Sequence, residues 1–225
     1  MSARTVILVP YRGDGGWRET IFGTVLPYLG KLAEIVGADI VYMADSGHDP
    51  FSVGNSFNRA AELADADGRW DVALLHEADF LVEPRAVAEA VRMVRDGHPG
   101  MVYAWSRHVR LTEVGTQALI EGKRRRFRNR TEFRLGSPRS PGGPRVVSRA
   151  LWDSTKGFHP GFVGWGYEDN HFQWMAEKVA PHRRISGDLL NAWHPRRGDD
   201  SANPYFTAQT VNWELWQRLQ RGEQS

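Results

Sequence analysis

The chain has 225 residues, 41% hydrophobic and 25% charged, with no cysteine. This suits one globular domain, or two tightly joined lobes, around a sizeable core, and excludes wholesale disorder. It also excludes a disulfide framework, a zinc–thiolate site and a thiol nucleophile. The net charge of +2 joins two unlike parts: residues 105–149 hold 12 Lys and Arg against Glu113, Glu121 and Glu132, a local +9 that leaves −7 for the rest. Such asymmetry suits an anionic partner, and equally a solvated surface.

Residues 5–9 (TVILV) form a β-branched run ending at Pro10. They suit a buried strand and are too short for a signal peptide or membrane span, which predicts a soluble cytoplasmic protein. Ile21, Val25, Leu29, Leu32 and Val36 recur at helical spacing, with Pro27 marking a kink or break. Residues 38–43 read as a second strand, and 56–66 as a helix with Phe57, Ala60, Ala61 and Ala64 on one face. A third strand at 71–75 runs into His76, Glu77, Ala78 and Asp79. Pro84 opens a helix to about residue 95, and 101–105 is a fourth strand.

Alternating strands and helices imply a parallel α/β sheet of right-handed βαβ units, with ligands beyond the carboxyl ends of the strands. Loops 10–16 and 45–50 and residues 77–79 then border one crevice. Residues 107–144, poor in apolar side chains, predict a long loop or partly ordered insertion. A last helix is predicted at 207–219, with Val211, Trp213, Leu215, Trp216 and Leu219.

Three segments carry candidate chemistry. Glu77 and Asp79, one residue apart at a strand end, suit a divalent cation bridging a diphosphate, and equally a polar turn. In GFVGWGYEDN at 161–170 the glycines allow close backbone approach, Trp165 and Tyr167 offer faces on which sugars stack, and Glu168 and Asp169 supply a base or hydroxyl acceptors. The alternative is a Gly-rich turn with core aromatics and a capping Glu-Asp pair. In NAWH at 191–194, His194 with Asn191 three residues before it suits a metal, although a lone histidine of this kind is more often structural. There is no nucleophile elbow and no Walker loop.

In order, VPYR (9–12), SFNRA (56–60), LLHEADFLVEP (74–84), GGPRVVSRALWDSTKGFHPGFVGWGYEDN (142–170) and WHPRRGDDSANPYF (193–206) resemble the galactosyltransferase-type GT-A glycosyltransferases. That family holds the animal β-1,4-galactosyltransferases and their bacterial relatives. The resemblance implies a GT-A (Rossmann-like) α/β fold, with a mostly parallel central sheet flanked by helices and a basic loop insertion. It implies one domain over 1–225: a nucleotide-binding half (1–105), the insertion (106–141), and an acceptor- and metal-binding half (142–225).

The resemblance also implies roles. Asp79 would bridge Mn2+ or Mg2+ with His194 and Asn191 as further ligands, and Asp169 would be the general base. Glu168, Trp165 and Tyr167 would meet the acceptor, Trp165 also closing over the donor sugar. Pro10, Tyr11, Arg12, Asp45, Asn58, Arg59, Glu77 and Gly164 would face the nucleotide sugar. The chain departs from the family in Glu77, where Asp is usual, and in Asn191, where animal members have Met. It also lacks their Golgi anchor and cysteines, which implies a bacterial or viral cytosolic enzyme.

The implied reaction is inverting transfer of a hexose or N-acetylhexosamine from a UDP-sugar to an acceptor hydroxyl. The acceptor would be a glycan, a polymer, or DNA or RNA held by the basic segment 123–130, with Phe127 and Phe133 as stacking surfaces. A solvated lid over the substrate accounts for the same arginines. The reading from another class is a non-catalytic nucleic-acid- or sugar-binding module on the same scaffold.

Overall fold

The computed structural model describes residues 3–123, 133–195 and 204–223. β1 (Thr5–Pro10) is buried at every position. A strand apolar on both faces belongs inside a sheet covered by helices on both sides. The chain continues through α1 (Trp17–Val36), β2 (Ala38–Ala44), α2 (Val53–Ala66), β3 (Val72–Leu75), β4 (Phe80–Val82), α3 (Pro84–Arg95) and β5 (Val102–Tyr103). Then come β6 (Arg107–Leu111), α4 (Glu113–Ile120), β7 (Phe133–Leu135), β8 (Arg145–Ser148), α5 (Arg149–Thr155), α6 (Glu168–Glu177), β9 (Arg183–Arg184), β10 (Asp188–Asn191) and α7 (Pro204–Gln220).

Local signals set the helix ends. The hydroxyls of Ser52, Thr112 and Ser148 accept the backbone N–H of Asn55, Gly115 and Leu151. Gly37, at φ +59°, closes α1 in the left-handed conformation. The break allowed for at Pro27 does not occur, and α1 runs through it. Pro27 and Gly23, whose carbonyl loses its partner, both lie on the exposed face, where water can serve that carbonyl.

The main sheet has the order β2-β1-β3-β8-β5-β9. β8 runs antiparallel to β3 and β5, and the other five strands share one direction. The chain steps from β1 to β2 in one direction and from β2 to β3 in the other. Right-handed crossovers therefore put α1 and α2 on opposite faces. α3 and α4 pack against α1, whereas α6 packs against α2 and α5. The carboxyl ends of β2, β1 and β3 lie side by side, so the loops after them share one edge of the sheet.

A second sheet, β4-β10-β6-β7, stands beside the first and pairs Phe80 with Asn191. It corrects the expectation of one long loop at 107–144, because β6, α4 and β7 lie there. The strand was masked by polar composition: His108, Val109 and Leu111 are buried, while Arg107 pairs with Asp188 at the surface. Most of the basic segment 123–130 falls outside the described residues, and Lys123 pairs with Glu121 at 2.5 Å. No helix among the described residues is long and apolar enough to cross a membrane.

Candidate active site

At the ends of β1 and β2, Arg12 meets Asp45, with Nε 2.5 Å from Oδ2 and Nη2 2.8 Å from Oδ1. The same guanidinium donates to the His48 carbonyl and lies over the Phe51 ring. Its hydrogen bonds hold the Asp45 carboxyl below the usual carboxylate range. Pro10 is buried, and the Tyr11 ring stacks on Phe22. Asn58 and Arg59 are not brought to this group. The Asn58 amide exchanges two 2.9 Å bonds with the Phe158 backbone, strapping α2 to the turn after α5. Arg59 pairs with Glu62 on the exposed side of its helix.

Beyond β3, Asp79, Asn191 and His194 converge. Asn191 Nδ2 donates to Asp79 Oδ2 at 3.2 Å, and His194 Nε2 lies 3.7 Å from the same oxygen. Two backbone bonds hold the segment after β10, from Ala192 to the Asp79 carbonyl and from Trp193 to the Thr116 hydroxyl. His194 Nδ1 lies 3.2 Å from the Pro195 carbonyl, which can only accept. With the proton on Nδ1 the ring donates to that carbonyl and leaves Nε2 as the nitrogen available to a cation.

Among the described residues no three His, Cys, Asp or Glu side chains cluster, so a cation held here depends on the Asn191 amide. One carboxylate, one neutral imidazole and one carboxamide fit manganese or magnesium by donor chemistry. Desolvation raises the Asp79 carboxyl above its usual range, against the pull of His194 and Arg18.

Glu77, two residues earlier, turns away from this cluster. Its Oε1 accepts the Gly143 N–H at 2.9 Å and lies 3.6 Å from Arg145 Nη1. Arg145, 0% exposed, also reaches Asp169 Oδ1 through Nη2 at 2.5 Å. Its guanidinium lies 5.4–5.9 Å from the ring centres of Phe57, Phe158 and Phe172. Gly143 takes φ +106°, and a Cβ there would stand 2.7 Å from Trp105 Nε1. Burial pushes the Glu77 carboxyl up to about 8, against the pull of Arg145. Burial likewise lifts Glu168 to about 8, with the Asp169 charge adding to the effect.

Before α6, Gly164 at φ +78° lets the chain approach α7, where a Cβ would stand 2.6 Å from that of Ala208. Asn212 of α7 donates to the Val163 and Trp165 carbonyls. Trp165 is left 57% exposed, and Tyr167 packs near Trp213. Tyr167 caps α6 at φ +70°, a conformation costly for a bulky residue. Such strain is characteristic of functional sites. The turn delivers Glu168 and Asp169 to the first helical turn, where backbone N–H groups favour carboxylates.

Arg145 is the site residue that sequence reasoning missed. Its signal was a charged residue opening the apolar run RVVS. It was counted with the basic stretch, although its partners are carboxylates of the acidic body.

The fold is of the GT-A type, a mixed α/β architecture whose main sheet carries helices on both faces and whose second sheet is β4-β10-β6-β7. The solved structures it resembles include the catalytic domain of Drosophila β1,4-galactosyltransferase 7 with xylobiose, at TM-score 0.59 and 16% identity, covering 94% of this chain and 79% of that one. A mutant of the same enzyme with manganese, UDP-Gal and xylobiose matches at TM-score 0.52 and 16% identity, over 81% of this chain and 64% of that one. No family model and no curated protein matches the chain.

Proposed function

We propose that the protein is a metal-dependent, inverting glycosyltransferase that takes a hexose or N-acetylhexosamine from a UDP-sugar. The observation that carries this reading is that the turn at 76–79 feeds two clusters at once. One is a cation-type set (Asp79, Asn191, His194), and the other reaches a carboxylate (Asp169) through Glu77 and Arg145. The Drosophila enzyme of the same fold was solved with manganese, UDP-Gal and xylobiose, which supports the donor and cation classes.

Asp79, Asn191 and His194 would hold the cation. When bound, a divalent cation offsets charge on the departing diphosphate as a Lewis acid. Asp169 takes the proton of the acceptor hydroxyl as general base. The hydroxyl oxygen bonds to the anomeric carbon, and the bond to the diphosphate breaks with its electron pair. One displacement inverts the anomeric configuration. Trp165 covers the donor sugar, while Arg12 and Asp45 lie toward the nucleotide. The acceptor is a glycan-type hydroxyl.

Thermal unfolding with UDP-galactose, UDP-glucose, UDP-N-acetylgalactosamine and UDP-N-acetylglucosamine, with and without Mn2+, tests the donor class. A stabilisation that grows with donor concentration and needs Mn2+ is expected. Cation-dependent binding without any turnover would instead make the chain a binding module.

A further inference from the structure

The two oxygens of Asp169 have different surroundings. Oδ1 is taken by Arg145, whose Nη1 also donates to the Pro141 and Gly143 carbonyls. With three phenyl rings around it and no exposure, that guanidinium cannot follow its partner into solvent. Oδ2 faces Gly142: a Cβ there would stand 2.6 Å from Oδ2 and 3.5 Å from the carboxyl carbon. Unlike Gly143 beside it, Gly142 is not in the left-handed region, so its own backbone would accept alanine. The space beside Oδ2 is what glycine preserves at this position. The Asp169 side chain keeps 20% of its surface exposed.

We infer that Arg145 and Gly142 are positioning residues for Asp169. Arg145 fixes Oδ1, and the gap beside Gly142 is the path by which an acceptor hydroxyl reaches Oδ2. This rests on the reading of Asp169 as general base. The acceptor proton passes to Oδ2 as its oxygen bonds to the anomeric carbon and the diphosphate leaves. A methyl at residue 142 occupies the path without touching the cation-type cluster.

The test compares wild type with Gly142→Ala, Arg145→Lys and Arg145→Met. It measures UDP affinity with Mn2+, hydrolysis of the four UDP-sugars, and transfer to xylobiose. Gly142→Ala is expected to lower kcat about 100-fold, the scale of a 1 Å misplacement, with UDP affinity unchanged. Arg145→Met should lose kcat with little change in donor KM, and Arg145→Lys should recover part of that loss. Thermal unfolding adds a check that needs no substrate: Gly142→Ala should lower Tm in wild type and not in an Asp169→Ala background. Wild-type kcat in Gly142→Ala, or the same Tm loss in both backgrounds, overturns the inference and leaves the proposed function standing. A wild-type chain that neither binds nor turns over any of the four donors overturns both.

Discussion

Glu77 and Asp79 leave one turn two residues apart and end in opposite environments. Asp79 stays partly exposed, 28% by side chain, beside Asn191 and His194, whose contacts a cation can reorganise. Glu77 goes inward to a buried arginine that shares Asp169. Two charged groups taken out of water are stable only if each keeps its partner, so the inner cluster is rigid. The outer one can exchange its contacts. One short loop thus supplies an adaptable outer end and a fixed inner end, which in the proposed function would serve the leaving group and the base.

The inner cluster breaks hardest. Arg145→Met leaves Glu77 and Asp169 without their buried cation and should cost about 3–5 kcal/mol of stability by denaturant unfolding. If it unfolds at the wild-type midpoint, the rigidity of that cluster is refuted. Asp169→Asn should lower transfer about 100- to 10,000-fold in initial rates, with UDP binding by calorimetry retained. Retained turnover would remove Asp169 as base.

On the outer side, His194→Ala should weaken Mn2+ binding by calorimetry at least as much as the roughly 10- to 100-fold that loss of a supporting partner costs. Unchanged affinity would dissolve the cation-type cluster.

A pH-dependent effect concerns Glu168. Its folded-state pKa of about 8 lies above the ordinary 4.5, so the folded chain holds the extra proton between them. Its contribution is complete below about 4.5 and lost as pH rises through about 8. Over that window stability falls by up to about 1.4 kcal/mol per pH unit for one proton. Glu168→Gln should flatten that slope in denaturant titrations across pH, with Glu77 keeping part of it. An unaltered slope would show that Glu168 is ionised in the folded chain.

Much of the fold was legible because helix and strand periods are local properties. The helix opened by Pro84 and the buried run before Pro10 stand where the pattern put them. The 107–144 stretch misled because its arginines hid a partly buried strand. In the site, Asp79, Asn191 and His194 lie together across 115 residues of chain, while Asn58 straps α2 to Phe158. No local pattern distinguishes an amide aimed at a ligand from one aimed at a backbone 100 residues away.

The apparent near-neutrality of the chain resolves in the same way. Composition by itself determined an acidic body and a basic stretch. Only the tertiary structure decided that Arg107, Arg145 and Arg149 spend their charge on Asp188, Asp169 and Asp65 of that body. The sequence alone determined β1, α1, β2, α2, β3, α3 and β5 in order, the carboxylate turn after the third strand and the Gly-Trp-Gly-Tyr-Glu-Asp turn. Their pairing required β8 to enter between β3 and β5, which carries Arg145 from residue 145 to within reach of residues 77 and 169. Strand order and register are long-range choices set by how the whole core packs, so no segment contains them.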